Sequence, residues 1–244
     1  MKLDSCNLPT HHIKIVLTGP MGVGKTSLMS RYLLNMYTRT NESTLGASFM
    51  SKKVRLSNEG EEDGENGNGG DGKGDFYLEL WDTAGQERFR SLLPLYYREA
   101  DVIILMFDTS QKNAIDELKR DQWVEEITSL FRGKNSPRIY VVGNKIDLHK
   151  ESREMGIVSR MERCEYGKCV EYVQSIGASL HLTSAKSGEG IERLFQSILG
   201  DCSREHRYTT RSARNYSEII TVHTPRGKSS RSSKSDSWNC CVLS

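Results

Sequence analysis

The chain has 244 residues, a formal net charge of +2 and a hydrophobic fraction of 36%. That length suits one sizeable core with appendages, and so small a net charge gives no argument for nucleic-acid binding. No apolar run approaches the roughly 20 residues that a transmembrane helix needs, and residues 1–12 lack the apolar stretch of a signal peptide. The six cysteines show no zinc-like spacing, so we expect a reduced, cytosolic protein.

From residue 12 onward, short apolar runs alternate with longer amphipathic segments, which is typical of a parallel α/β sheet. Strands are predicted at 13–18, 48–56, 76–81, 102–107, 139–142 and 180–182, and helices at 26–34, 92–98, 114–131, 161–175 and 191–199. The second and third strands have no helix between them, so they should form an antiparallel hairpin at the sheet edge. We therefore expect a six-stranded, mostly parallel sheet with one antiparallel edge strand and helices on both faces.

The first predicted strand is followed by a phosphate-binding loop. Residues 19–26 fit the pattern G-x-x-x-x-G-K-[ST], and they lie between a strand and a helix, as that pattern requires. The glycines let backbone N–H groups converge on phosphate oxygens at the helix N-terminus, the lysine adds a charge, and the threonine hydroxyl can ligate Mg²⁺. The residues predicted to contact the nucleotide here are Met21, Gly22, Val23, Gly24, Lys25, Thr26 and Ser27.

A second motif, Asp-Thr-Ala-Gly-Gln-Glu at 82–87, follows the third predicted strand. Asp82 at the strand end can hold the water shell of the metal. Gly85 has no side chain, so its backbone N–H can approach the γ-phosphate. Gln86 can orient the attacking water, and it is the candidate catalytic residue.

Two more motifs follow later strands and point to guanine. In Asn144-Lys145-Ile146-Asp147 the last carboxylate can accept hydrogen bonds from guanine N1 and N2, a donor pair that adenine lacks. Ser184-Ala185-Lys186 can donate a backbone N–H to guanine O6. Each motif is weak alone, but all four occur in order at the C-terminal ends of strands, where open α/β sheets bind ligands.

Together these motifs resemble the small GTPases of the Ras superfamily, over about residues 14–199. The resemblance implies the P-loop small-GTPase fold, GTP and GDP as ligands with Mg²⁺ as cofactor, and hydrolysis of GTP. It also implies that Thr44 binds Mg²⁺ and the γ-phosphate in the GTP state, and that Tyr37 packs against guanine.

Within that superfamily the chain is similar to the Rab family. Trp81, the run at 96–98 and the paired terminal cysteines are Rab-like, while 44–49 and 91–97 resemble the endosomal Rab5/Rab21/Rab22 group. The resemblance implies that Phe49, Trp81 and Tyr96 form the aromatic triad that effectors contact. It also implies an exchange factor, a GTPase-activating protein and a Rab escort or GDI-type chaperone as partners of a monomer. The expected location is the cytoplasmic face of endomembranes, with endosomes as the compartment that the resemblance favours, and with a cytosolic pool.

Two segments differ in composition from the rest. Residues 57–75 hold seven glycines and seven acidic residues against one lysine, which predicts a disordered acidic insert in the hairpin turn. From residue 201 the chain turns basic, with eight cations and three acids between 204 and 238. We therefore predict a GTPase domain at 12–200 and a flexible basic tail at 201–244.

The tail ends in Cys240 and Cys241 followed by Val-Leu-Ser, which fits a prenylation motif. A prenyl group together with tail cations would anchor the chain to an anionic membrane.

Two other classes of function are possible from the same motifs. A small P-loop kinase is disfavoured by the guanine motif and by Gln86. A nucleotide-binding scaffold with little hydrolysis is the stronger alternative, because Met21 is a bulky residue in the phosphate loop.

Overall fold

The computed structural model of the protein describes residues 10–39, 44, 46–54, 75–131, 136–149, 161–211 and 240–243. The strands within these ranges are β1 (Thr10–Thr18), β2 (Ala47–Val54), β3 (Phe76–Thr83), β4 (Val102–Asp108), β5 (Arg138–Asn144), β6 (Ser179–Leu182), β7 (Thr209–Arg211) and β8 (Cys240–Leu243). The α-helices are α1 (Lys25–Leu34), α2 (Leu93–Tyr97), α3 (Ala114–Arg120), α4 (Trp123–Leu130), α5 (Met161–Ser175) and α6 (Ile191–Arg204). A 3₁₀ helix spans Glu87–Leu92 and leads directly into α2.

The central sheet has the order β6-β5-β4-β1-β3-β2, which confirms the six predicted strands. The pairs among β1, β3, β4, β5 and β6 are parallel, whereas β2 pairs antiparallel with β3 at the edge. Every residue of β4 is buried, as expected of a strand with helices on both faces of its sheet. The parallel arrangement brings the C-terminal ends of five strands to one side of the molecule.

The two faces of the sheet carry separate hydrophobic clusters. On one face, α1 and α6 pack Leu28, Leu194 and Phe195 against the sheet. On the other face, α3, α4 and α5 supply residues such as Leu118 and Ile127. Among the described residues, no helix combines the length and the apolar character that a membrane span requires.

The prediction of one continuous helix at 114–131 is wrong, because this segment forms two helices, α3 and α4. Gln122 adopts the left-handed conformation, with φ of +54°, and neither glycine nor proline marks the position. The break gives the Asp121 carbonyl a partner outside the helix, since Arg90 of the 3₁₀ helix donates to it. Arg90 also bonds Glu126 at 2.7 Å, and its guanidinium lies 4.6 Å from the Trp123 ring centroid. The break therefore lies where the segment after β3 packs against α4 through Arg90.

Two short strands were not predicted from sequence. β7 pairs antiparallel with the start of β1, where Thr210 is opposite His11. β8 pairs antiparallel with β2, where Cys241 is opposite Phe49. Strands of three and four residues in a polar tail have too few positions to show an alternating pattern. The rest of the predicted tail, and the predicted acidic insert up to residue 74, lie outside the described residues.

The join between β2 and β3 lies at the opposite end of the sheet from the C-terminal ends of the parallel strands. Val54 pairs with Phe76 there, and the Phe76 ring lies 5.2 Å from His11 near the start of β1. The Asp75 carbonyl accepts the His11 N–H at 3.1 Å. Val54, Asp75 and β7 therefore all lie at this end of the sheet.

Candidate nucleotide-binding site

The loops after β1, β3, β5 and β6 surround a cavity of about 510 Å³ at the C-terminal side of the sheet. Fifteen of the residues predicted to bind the nucleotide or act on it lie on its wall: Met21, Gly22, Gly24, Lys25, Thr26, Ser27, Tyr37, Thr44, Gly85, Gln86, Asn144, Lys145, Asp147, Ala185 and Lys186. Three others, Val23, Asp82 and Ser184, lie behind this wall, and each has a hydrogen bond to a residue on it. The four sequence motifs therefore meet at one place.

The phosphate loop has backbone conformations with positive φ, which favour glycine. Gly24 has a φ of +97° and precedes the first residue of α1. Lys25 is buried, and its ammonium donates to the carbonyls of Gly19 at 2.8 Å and Pro20 at 2.9 Å. Burial lowers the pKa of Lys25 to about 8, and the charge of Asp82 partly opposes that shift. A phosphate at this point would raise the pKa of Lys25 again, because a nearby anion favours the charged ammonium.

Three oxygen-bearing side chains converge beside the phosphate loop. Thr26 Oγ1 lies 2.6 Å from Asp82 Oδ2 and 3.0 Å from Thr44 Oγ1, while Thr44 Oγ1 lies 3.4 Å from the same carboxylate oxygen. Asp82 is fully buried, and no hydrogen bond of ordinary geometry reaches its other oxygen, Oδ1, from the described residues. The Ser48 hydroxyl, opposite Asp82 in the β2–β3 register, is a further polar group near this carboxylate.

Burial raises the pKa of Asp82, and the Thr26 hydroxyl and Lys25 partly offset that rise. An incompletely bonded, buried carboxylate beside two hydroxyls is an oxygen donor set of the kind that Mg²⁺ prefers. Thr26, Thr44 and Asp82 therefore fit a magnesium ion, which would supply positive charge beside a bound phosphate.

Asn144 joins the phosphate loop to both base-recognition motifs. Its Nδ2 donates to the Val23 carbonyl at 2.9 Å, and its Oδ1 accepts the Ala185 N–H at 3.0 Å. The same Oδ1 accepts the Thr183 hydroxyl at 3.2 Å. Since Asn144 is only 1% exposed, these bonds set the distance between the phosphate end and the base end of the cavity.

The base end is formed by Asp147 with its neighbours. Asp147 Oδ1 accepts the Ser184 hydroxyl at 2.6 Å, and Oδ2 lies 3.8 Å from the Lys186 ammonium. Lys145 bonds Asp108 at 2.6 Å, and Asp108 lies opposite Asn144 in the β4–β5 register. A carboxylate oriented in this way can accept two N–H groups from one edge of a guanine base.

The segment after β3 approaches the phosphate loop closely at Gly85. A Cβ at that position would lie 2.8 Å from Met21 Cα and 2.8 Å from the Pro20 carbonyl, and closer still to the Lys25 ammonium. Any residue with a Cβ would therefore clash with the phosphate loop at this position, and only glycine fits. Gln86 follows, half-buried on the cavity wall at the start of the 3₁₀ helix.

The predicted aromatic triad is assembled outside the cavity. The Phe49 and Trp81 ring centroids lie 5.0 Å apart across the β2–β3 pair, and Trp81 lies 6.1 Å from Tyr96 of α2. All three side chains are partly exposed. They form one apolar surface that joins β2, β3 and α2.

Sequence reasoning missed two residues that support the site. Asp108 is a polar residue at the end of a buried strand, and this position was a usable signal for its role beside Lys145. Arg31 bonds the carbonyls of Ala185 and Lys186 from α1. It is separated from them by more than 150 positions, and no motif marks it.

Comparison with known proteins agrees with this geometry. The Ras family profile matches residues 14–204. Ras-related protein Rab-21 from Bos taurus is 38% identical over 186 residues, which is 76% of this chain and 71% of the relative. GTP-binding protein YPT52 from Saccharomyces cerevisiae is 33% identical over 76% of this chain and 79% of its own length. Ras-like GTP-binding protein RYL2 from Yarrowia lipolytica is 33% identical over 86% of this chain and 92% of its own.

The position of Asp147, the phosphate loop and the matched family agree, and the chain belongs to the Ras family as a Rab-like small GTPase that hydrolyses GTP.

Proposed function

We propose that this protein is a membrane-anchored Rab switch that recruits effectors in endosomal trafficking while GTP is bound. The observation that carries the proposal is the position of Thr44. Its hydroxyl meets Thr26 at 3.0 Å in the cavity, and three residues later the chain enters β2, which carries Phe49. A change in the contacts of Thr44 would thus reach the aromatic surface through a short segment of chain.

In this proposal each residue of the site has a separate task. Lys25 and the N-terminus of α1 hold the phosphates, and Asp147 selects guanine. When bound at Thr26, Thr44 and Asp82, Mg²⁺ would neutralise charge on the phosphate oxygens. Gln86 orients the attacking water, because phosphoryl transfer depends mainly on positioning and charge stabilisation. Loss of the γ-phosphate removes a partner of Thr44 and ends the active state.

Attachment to the membrane is assigned to the tail. Cys240 and Cys241 are the proposed prenylation sites, with a Rab escort or GDI-type chaperone carrying the lipidated, GDP-bound form. In the structure these cysteines pair with β2, so the lipidated end has to leave that edge before it enters a bilayer. The endosomal location is inferred from similarity to a protein named Rab-21.

A second candidate function, a nucleotide-binding scaffold with little hydrolysis, is favoured by one observation. Met21 is 59% exposed and lies on the cavity wall next to Gly85. A flexible thioether at this point can occupy space that the attacking water needs.

Single-turnover hydrolysis of GTP by the purified full chain with Mg²⁺ tests the catalytic part. We expect Gln86→Leu to retain GTP and to hydrolyse it at least about tenfold more slowly, since the water loses its orienting group. Gln196→Leu, a change on the exposed face of α6, is the matched control and should hydrolyse at the wild-type rate. Equal rates for Gln86→Leu and wild type would contradict the role of Gln86. A rate that rises at least about tenfold in Met21→Gly would instead support the scaffold function.

Imaging of the tagged protein against endosomal and Golgi markers tests the cellular part. We expect the wild type on endosomes and a Cys240→Ser, Cys241→Ser double variant in the cytosol, with unchanged hydrolysis in vitro. Membrane retention by the double variant would mean that the anchor lies elsewhere in the chain.

A further inference from the structure

Arg31, in the last turn of α1, uses all three guanidinium nitrogens in hydrogen bonds. Nε donates to the Ala185 carbonyl at 2.9 Å, and Nη2 donates to the Lys186 carbonyl at 2.7 Å. Nη1 donates to the backbone and side-chain oxygens of Asn35 at 3.0 and 3.1 Å. Such a planar fork fixes direction as well as distance, which a single ammonium cannot do.

The loop that Arg31 holds is the one that faces the guanine end of the cavity. Ala185 and Lys186 lie on the cavity wall, and the Ala185 N–H is bonded to Asn144 Oδ1. The loop also has internal bonds, from the Gly188 N–H to the Ser184 carbonyl and from the Ser187 N–H to the Ser184 hydroxyl. Those internal bonds maintain the shape of the loop, whereas the bonds to Arg31 fix its place relative to α1.

The third contact of Arg31 connects the same loop to the other side of the cavity. Asn35 ends α1 in the left-handed conformation, with φ of +50°. Two residues later Tyr37 lies on the cavity wall. One side chain therefore joins the base-recognition loop, the end of α1 and the segment that leads towards Thr44.

We propose that Arg31 is a positioning residue for guanine recognition. Together with Asn144, which accepts the Ala185 N–H, it holds the Ala185–Lys186 backbone at the distance from which this N–H can be shared with guanine O6. The inference rests on the proposed nucleotide site, and it makes a separate claim about a residue outside the cavity. Without Arg31 the loop keeps its internal bonds and its bond to Asn144, but it loses its contacts with α1 and can shift relative to the base. The contact to O6 should weaken, while the contacts of Asp147 and the phosphate loop stay in place.

The test compares dissociation of two nucleotides from the full chain with Mg²⁺. GDP carries O6 and an N1–H, and the diphosphate of 2-aminopurine riboside lacks both. One Asp147 contact is therefore also missing with this ligand, in the variant and in the wild type alike. We expect Arg31→Gln to release GDP up to about tenfold faster, which is the scale of one neutral hydrogen bond to O6. The same variant should release the 2-aminopurine nucleotide within about twofold of the wild-type rate, because that ligand cannot make the contact.

Two further variants make the result decisive. Arg193→Gln removes an exposed arginine from α6 and should leave both dissociation rates unchanged. Arg31→Lys retains the charge but lacks the fork, so it should release GDP faster as well, and it serves if Arg31→Gln does not fold. Equal acceleration for both nucleotides, or wild-type GDP release from Arg31→Lys, would overturn the positioning role. A wild-type chain that does not retain GDP would instead refute the proposed nucleotide site.

Discussion

Replacing Gly85 by alanine should lower the rate of GTP hydrolysis much more than it lowers the free energy of unfolding. The added Cβ would lie 2.8 Å from Met21 Cα and from the Pro20 carbonyl, whereas ordinary contacts begin at 3.4 Å. The loop therefore has to move by at least 0.6 Å from two backbone atoms, and by more from the Lys25 ammonium. A displacement of about 1 Å in a positioned group can cost on the order of 100-fold in rate. We expect single-turnover GTP hydrolysis by Gly85→Ala to fall between about 10- and 100-fold.

The stability of the variant should change little, since the overpacked loop can shift outward into the cavity. Forced overpacking costs about 1–3 kcal/mol, and relief by movement should keep the loss in unfolding free energy near the lower value. Gly200→Ala in α6 is the matched control, because a Cβ there has no neighbour within 4 Å. It should raise the unfolding free energy by about 0.5–1 kcal/mol and leave hydrolysis unchanged. A hydrolysis rate within twofold of wild type in Gly85→Ala would refute the assigned close approach.

Three other changes test separate parts of the structure. Asp147→Asn should shift preference from guanine towards xanthine nucleotides, because a donor replaces an acceptor facing the base; unaltered competition between XTP and GTP would contradict this. Thr26→Asn should weaken Mg²⁺ ligation and bias the chain towards GDP, which equal retention of GTP and GDP by mutant and wild type would refute. Burial raises the pKa of Asp101 to about 6 from 3.8, so the folded chain binds more protons than the unfolded chain in that window. The stability contributed by this carboxyl is present below pH 3.8 and is lost as pH rises through about 6. Asp101→Asn should remove this dependence from urea-unfolding midpoints measured across that range, and identical pH profiles for variant and wild type would contradict the assignment.

The positions of the six central strands and the meeting of the four motifs could be predicted because both depend on local signals. Buried strands show as apolar runs, and motif residues at their C-terminal ends come together in any parallel sheet. The helix break at Gln122 could not be predicted, since the residue has no intrinsic preference for positive φ and the conformation coincides with contacts made by Arg90.

Arg31 shows a different limit of reading the chain alone. A lysine or arginine in the last turn of a helix is common, because it interacts well with the helix dipole. Arg31 bonds backbone carbonyls, which every residue has, so the types of its partner residues do not reveal the contact. Contacts of this kind become visible only when the distant loop is placed beside the helix.

The separation of the two ends of the sheet has a practical consequence for building sensors from this protein. The nine residues of β1 span about 30 Å between the phosphate loop and the end where β2 and β3 join. A fluorescent domain inserted in the β2–β3 connection would therefore stand far from the bound nucleotide, and lengthening a turn costs only about 0.6 kcal/mol per doubling. If an effector contacts Trp81, as proposed, a second fluorophore on that effector would report the active state by energy transfer, without a label near the site of hydrolysis.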